Sequence, residues 1–159
     1  ETYHRNLNIE PYHQIHFELG RSLVGQCGEL WSKVLYVKDG ISKKFAVVDA
    51  GMTHLMRPAL YDAYHQISLH NNETNRENFT YDIVGPICES TDVLGKQREF
   101  PELHRGDILI IHSAGAYGEV MCSNYNMRPM GEVMYRNVET NNTYRDKESN
   151  TLERVNYLP

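Results

Sequence analysis

No run of apolar residues in this chain approaches the roughly 18 to 20 needed to cross a bilayer. The opening residues, "ETYHRNLNIEPYH", also lack the basic-then-apolar pattern of a secretory leader. A soluble chain with no membrane partner is expected. Concentrated positive charge is missing too: the 16 Lys and Arg residues are scattered among 21 Asp and Glu, for a net charge of -5. That leaves no basic footprint for a phosphate backbone, so nucleic acid is not expected as a partner. Cysteine is scarce. Cys27, Cys88 and Cys122 form neither an even set nor a CxxC pair, which argues against a disulfide framework or a thiolate zinc site. Free thiols in a reducing cytoplasm are the expectation. His13 and His16 stand three apart in a stretch that reads as extended, with no second pair to complete a metal site, so no metal is expected. The N-x-T sequons at Asn72, Asn78 and Asn141 matter only in a secreted protein.

What is present can fill one core: 159 residues, 40% of them hydrophobic. Val34 to Lys38 and Phe45 to Val48 are β-branched and aromatic runs on either side of the turn-like "KDGISK", and read as a hairpin. "YDIVGPICES" and "GDILIIHSAG" read as two more strands, and "EVMYR" as a last one. The fold class expected is therefore mainly β, an antiparallel sheet or small barrel. One helix interrupts it over His54 to Ile67, where Leu55, Ala59, Leu60, Ala63 and Ile67 share a side and Pro58 falls in the first turn. "SLHNNETNRENFT" reads as a polar surface loop, and the chain turns polar after Arg136. "IHFELGRS" reads as a compact apolar strand delivering its end to a ligand, like the last piece of a preceding α/β domain.

Four places concentrate polar groups beside glycine or at strand ends. Glu18, Gly20 and Arg21 combine a close backbone approach with a guanidinium that can grip a carboxylate or phosphate; the same letters also spell an ordinary turn with a surface Arg. Arg57 and Tyr61, spaced i, i+4, can hold a carboxylate from one helical face, or can be a solvated Arg beside a packed ring. Cys88 can donate a proton or attack, with Glu89 binding an amine or raising the thiol pKa; otherwise Cys88 is a small buried hydrophobe. Tyr117, between Gly115 and Gly118, can point its phenol at a ligand that the backbone approaches, or can sit half-exposed on a glycine-lined turn.

Taken together and in this order, "FELGRS", "VVDAGMTHLMRPALYDAYH", "VGPICESTD" and "SAGAYGEVMCSNYNMRP" resemble the C-terminal part of the diaminopimelate decarboxylase family, over about Ile15 to Arg136. These are fold-type III, alanine-racemase-like enzymes in which a (β/α)8 barrel binds pyridoxal 5'-phosphate and a β-barrel domain follows. The resemblance implies that residues 1–21 end the first barrel, 22–136 form the β-barrel domain and 137–159 a polar tail. It implies that Glu18, Gly20, Arg21 and Tyr117 contact the cofactor, although Leu19 stands where the family usually has Pro. Arg21, Arg57, Tyr61, Glu89 and Tyr117 would bind substrate, and Cys88 would be the catalytic proton donor. Cys88 and Glu89 would come from the opposite subunit of a homodimer.

The reaction implied is decarboxylation of meso-2,6-diaminopimelate to L-lysine and CO2, in lysine biosynthesis. None of Lys33, Lys38, Lys43, Lys44, Lys96 and Lys147 is expected to carry the cofactor, whose lysine the resemblance assigns to the N-terminal barrel. This chain alone is therefore expected to be inactive. The alternatives are a related decarboxylase acting on arginine, ornithine or carboxynorspermidine, and a catalytically silent β-barrel interaction module.

Overall fold

A computed structural model describes residues 12–71 and 75–145. Its core is a six-stranded sheet built from β1 (Leu30–Asp39), β2 (Lys44–Val48), β3 (Ile67–Leu69), β4 (Asn78–Val84), β5 (Val93–Pro101) and β6 (Ile108–Ile111), in the order β3-β6-β1-β2-β4-β5. The expected hairpin is there: β1 and β2 pair antiparallel, with Val37 opposite Ala46. The sheet is not antiparallel throughout, because β2 pairs parallel with β4. Two antiparallel neighbours need only a turn, whereas this parallel pair needs a crossover, and residues 49 to 77 supply it. The two edge strands curl toward each other until the Ile67 side chain of β3 meets Gly95 of β5, so the sheet is nearly closed into a barrel.

The interior is apolar and β-branched. Val34, Ala46, Val48, Ile83, Leu109 and Ile111 line it with Leu55, Leu94, Leu103 and Phe100. Tyr81 is fully buried; its ring meets Phe100 edge-on and its hydroxyl accepts the Leu103 N–H at 3.0 Å, so the polar end is satisfied inside the core. A bulge between β4 and β5 turns Asp82 inward, where its carboxylate accepts the Gln97 N–H at 2.9 Å and pairs with Lys43.

Several elements differ from expectation. The helix is one turn, α2 (Arg57–Tyr61), not His54 to Ile67: Asp62 takes a left-handed conformation, φ 50°, its N–H closing on the Arg57 carbonyl. Leu55 is buried before the helix begins, and Ile67 opens β3. "IHFELG" is not a strand. Residues 13 to 20 lie exposed and outside the strands of the described residues, and Arg21–Val24 form a single turn, α1. Alternation is there in Ile15, Phe17 and Leu19, but a strand needs a neighbour to pair with. The polar loop is shorter than expected, since Ser68 and Leu69 belong to β3 and Asn78 to β4, while Asn72 lies outside the described residues. "EVMYR" does contain a strand, β7 (Met134–Arg136). It pairs with β8 (Thr143–Arg145) in a separate exposed ribbon, so the polar tail begins with an ordered turn.

Candidate active site

Two glycines fasten the N-terminal turn to the loop after β6. A Cβ on Gly28 would lie 2.3 Å from the Gly115 Cα, and one on Gly115 would lie 2.1 Å from the Val24 carbonyl oxygen. Only bare backbone fits at that approach. Gly115 N–H donates to the Gly25 carbonyl at 3.0 Å and Ala114 N–H to the Gly28 carbonyl at 2.8 Å, which completes the clamp. Its result is to set Gly20 beside Tyr117: a Cβ at Gly20 would sit 3.7 Å from the Tyr117 hydroxyl. Tyr117 itself is held at φ 58°, a left-handed conformation costing a bulky residue about 1–3 kcal/mol, and its ring is half exposed. Backbone strain of this kind clusters at functional positions.

The second wall of the site is α2. The Arg57 guanidinium stands 5.8 Å from the Tyr61 ring centroid and 5.9 Å from that of Tyr117, within cation–π range of both. Gly20, Arg57, Tyr61 and Tyr117 thus come together from three distant stretches of chain. Arg21 contributes electrostatically. The buried His65 has its pKa lowered from 6.5 first by desolvation, opposed by its bond to the His112 carbonyl and reinforced by the charges of Arg57, Arg21 and Arg98. Its Nδ1–H donates to that carbonyl at 2.9 Å, so the neutral ring keeps its lone pair on Nε2. Three guanidiniums around one neutral imidazole make a region suited to anions. Glu18 and Arg21 are exposed.

Cys88 and Glu89 lie elsewhere. They sit at the tip of the loop from Gly85 to Asp92 and are exposed, so Cys88 is no buried hydrophobe. The Glu89 carboxylate accepts only the Ser90 hydroxyl, at 3.4 Å, among the described residues. A groove of about 370 Å3 separates this loop from α2, with Ser90 and Thr91 on one wall and Pro58, Ala59 and Asp62 on the other. Arg57 and Tyr61 are not part of its lining. The helix therefore turns one face to the loop and the other to Tyr117.

Of the remaining thiols, Cys27 donates to the Val24 carbonyl at 2.9 Å. Burial pushes the Cys122 thiol pKa up from 9.0, with Glu119 adding to it, which leaves Cys88 as the exposed thiol next to a carboxylate.

Sequence reasoning passed over Asp92, the last residue of "GPICESTD". It is 3% exposed, and its carboxylate accepts the Met52 N–H at 2.6 Å and the Ile87 N–H at 2.7 Å. A charged residue closing a strand-end loop between two glycine-containing corners was the signal available. His65 and Arg98 gave none, because nothing local marks a residue that acts through a distant strand.

Comparison with known proteins bears on what this arrangement is. Residues 12–115 match the family described as the pyridoxal-dependent decarboxylase C-terminal sheet domain. A diaminopimelate decarboxylase from Bacteroides thetaiotaomicron is 57% identical over 129 residues, covering 81% of this chain and 33% of that protein. The crystal structure of diaminopimelate decarboxylase from Helicobacter pylori, complexed with L-lysine, superposes with a TM-score of 0.73 at 38% identity, over 88% of this chain and 35% of that one. The enzyme from M. jannaschii gives a TM-score of 0.75 at 35% identity, over 88% and 32%. The chain thus spans about a third of the length of the curated relatives it matches. No helix among the described residues is long and apolar enough to cross a membrane. By the match over residues 12–115, the chain belongs to the family of the C-terminal sheet domain of pyridoxal-dependent decarboxylases.

Proposed function

We propose that this domain is the C-terminal part of a cytoplasmic diaminopimelate decarboxylase that converts meso-2,6-diaminopimelate to L-lysine and CO2. The observation that carries the reading is the grouping of Arg57, Tyr61 and Tyr117 beside Gly20. A cation flanked by two phenols suits a carboxylate far from the reacting carbon, which a diamine precursor lacks. The L-lysine complex of the Helicobacter pylori relative supports an amino-acid ligand of this class, L-lysine being the product of the proposed reaction.

The residues present fit one end of pyridoxal phosphate. Gly20 brings bare backbone close to the Tyr117 hydroxyl, no side chain caps the first turn of α1, and Arg21 starts that turn. Glu18, Gly20, Arg21 and Tyr117 would hold the cofactor, whose lysine lies in the N-terminal (β/α)8 barrel, residues 1–21 being its end. When bound, the cofactor supplies the electron sink for the carbon–carboxylate bond that breaks. This chain's part is grip and proton delivery. Arg21 binds the reacting carboxylate's neighbourhood, Arg57 and Tyr61 bind the distal carboxylate, and Glu89 binds the distal ammonium. The Cys88 thiol gives its proton to the carbon that has lost CO2, a task a thiol can perform near neutral pH.

Arg57 is not part of the groove that separates the Cys88–Glu89 loop from α2, which supports a homodimer in which each loop completes the partner's site. CO2 release from meso-diaminopimelate, with added pyridoxal phosphate, tests the reading on this chain alone and with its N-terminal barrel restored. Turnover only in the restored protein is expected. Turnover of ornithine or arginine in place of meso-diaminopimelate would overturn the substrate assignment, and inactivity on all three would leave an interaction module. In the restored enzyme, Cys88→Ala is expected to lower kcat by about 10²- to 10⁴-fold. Arg57→Ala should chiefly raise KM, by about ten- to a hundredfold.

A further inference from the structure

The loop that carries Cys88 and Glu89 has no regular secondary structure, and both side chains are exposed. Something other than a strand or helix must fix where its tip stands. The hydrogen bonds point to one residue. Asp92 Oδ1 accepts the Met52 N–H at 2.6 Å and Oδ2 accepts the Ile87 N–H at 2.7 Å. Its backbone closes the same loop, the carbonyl accepting Gly85 N–H at 2.9 Å and the N–H donating to the Glu89 carbonyl at 3.1 Å. One buried side chain thus ties the residue before Cys88 to the corner that leads from β2 into α2.

The sequence around it is built to admit that carboxylate. A Cβ on Gly85 would lie 2.3 Å from Asp92 Oδ2, and one on Gly51 2.7 Å from Oδ1. Neither glycine has a positive φ, so their smallness serves the carboxylate rather than a turn. The corner is held from its other side as well. Ser32 Oγ donates to Asp49 Oδ1 at 2.7 Å and accepts Ala50 N–H at 2.9 Å, anchoring residues 49 to 52 on β1. Asp92 is therefore attached to a rigid base, and the base is the segment from which Arg57 projects.

We propose that Asp92 is a positioning residue, whose buried carboxylate sets Cys88 and Glu89 at a fixed height above the α2 corner, so that the loop presents proton donor and ammonium grip together to the partner's site. This rests on the proposed roles of Cys88 and Glu89. A carboxylate is required because it can accept two N–H groups on opposite oxygens; an amide of the same shape can accept only one and turns an NH2 toward the other.

The test is Asp92→Asn in the protein with its N-terminal domain. Three readouts are compared: kcat and KM, the alkylation rate of Cys88 by iodoacetamide with Cys27 as internal reference, and the urea midpoint. Expected are a loss in kcat of about ten- to a hundredfold, by analogy with small displacements of reacting groups, and a changed Cys88-to-Cys27 alkylation ratio, with the protein still folded. A merely structural residue would shift the urea midpoint and leave the alkylation ratio alone, and that result overturns the proposal.

If the variant does not fold, amide exchange in the unaltered protein decides. Met52 and Ile87 amides should exchange at least about tenfold more slowly than that of Cys88; equal rates overturn it. An unaltered enzyme inactive on meso-diaminopimelate, with the alkylation ratio still sensitive to Asp92→Asn, overturns the functional reading and upholds Asp92's hold on the loop.

Discussion

At the scale of single residues, the site depends on groups that cannot be enlarged. Gly115→Ala would force a Cβ to within 2.1 Å of the Val24 carbonyl, so the clamp must open. The expected cost is about 2–4 kcal/mol, read as a lower urea midpoint, with Tyr117 more mobile. One buried and one half-buried histidine supply a pH dependence. The pKa of His65 and of His54 is lowered, in each case first by desolvation, with Arg57 and Arg128 respectively among the charges adding to it. In the unfolded chain they titrate near 6.5, so as pH falls below that value the unfolded state takes up protons first and folding stability is lost. Urea midpoints should therefore drop between pH 7.5 and 5.5, and the drop should shrink in His65→Gln. An unchanged slope in that variant would remove His65 from the account. Residue types and glycine spacing made Gly20, Arg57, Tyr61 and Tyr117 legible in the sequence. Asp92 and His65 were not, because their partners lie 40 and 47 positions away for Met52 and His112.

Among elements, strands with a clean apolar run were readable and the broken ones were not. β1, β2, β4 and β6 announce themselves through β-branched residues. β5 hides because Gly95, Lys96, Gln97 and Arg98 interrupt its apolar positions, and Gln97 takes a left-handed φ of 50° at the bulge. The helix was overextended for the opposite reason: helical spacing continues past Tyr61, but Asp62 and the pairing of Ile67 with Ile111 win. Where the sheet nearly closes, a Cβ on Gly95 would come 2.8 Å from Ile67 Cδ1, the end of a flexible side chain. Gly95→Ala is expected to destabilise by about 1–3 kcal/mol. Ile67→Val, which shortens that side chain, should recover part of it in a double-mutant cycle. Additive costs would mean that the two strands do not press on each other there.

For the molecule as a whole, the uncovered surface and the split site carry the consequences. Phe17 and Leu19 are 57% and 59% exposed in a segment outside the sheet of the described residues, which fits the proposed junction with an N-terminal barrel. Mixing full-length Cys88→Ala and Arg57→Ala proteins tests the shared site. A heterodimer has one intact site only if loop and helix come from different subunits, so at substrate well below the raised KM of Arg57→Ala about a quarter of wild-type activity should return; sites built within one chain would restore none. The parallel pairing of β2 with β4 and the pairing of Leu30 in β1 with Ile111 in β6 also bear on how the domain is made. β1 sits mid-sheet, yet one flank stays unpaired until about eighty more residues have left the ribosome. Such distant closures make refolding slow, on the order of milliseconds to seconds, and the strand is open to wrong partners for that whole interval.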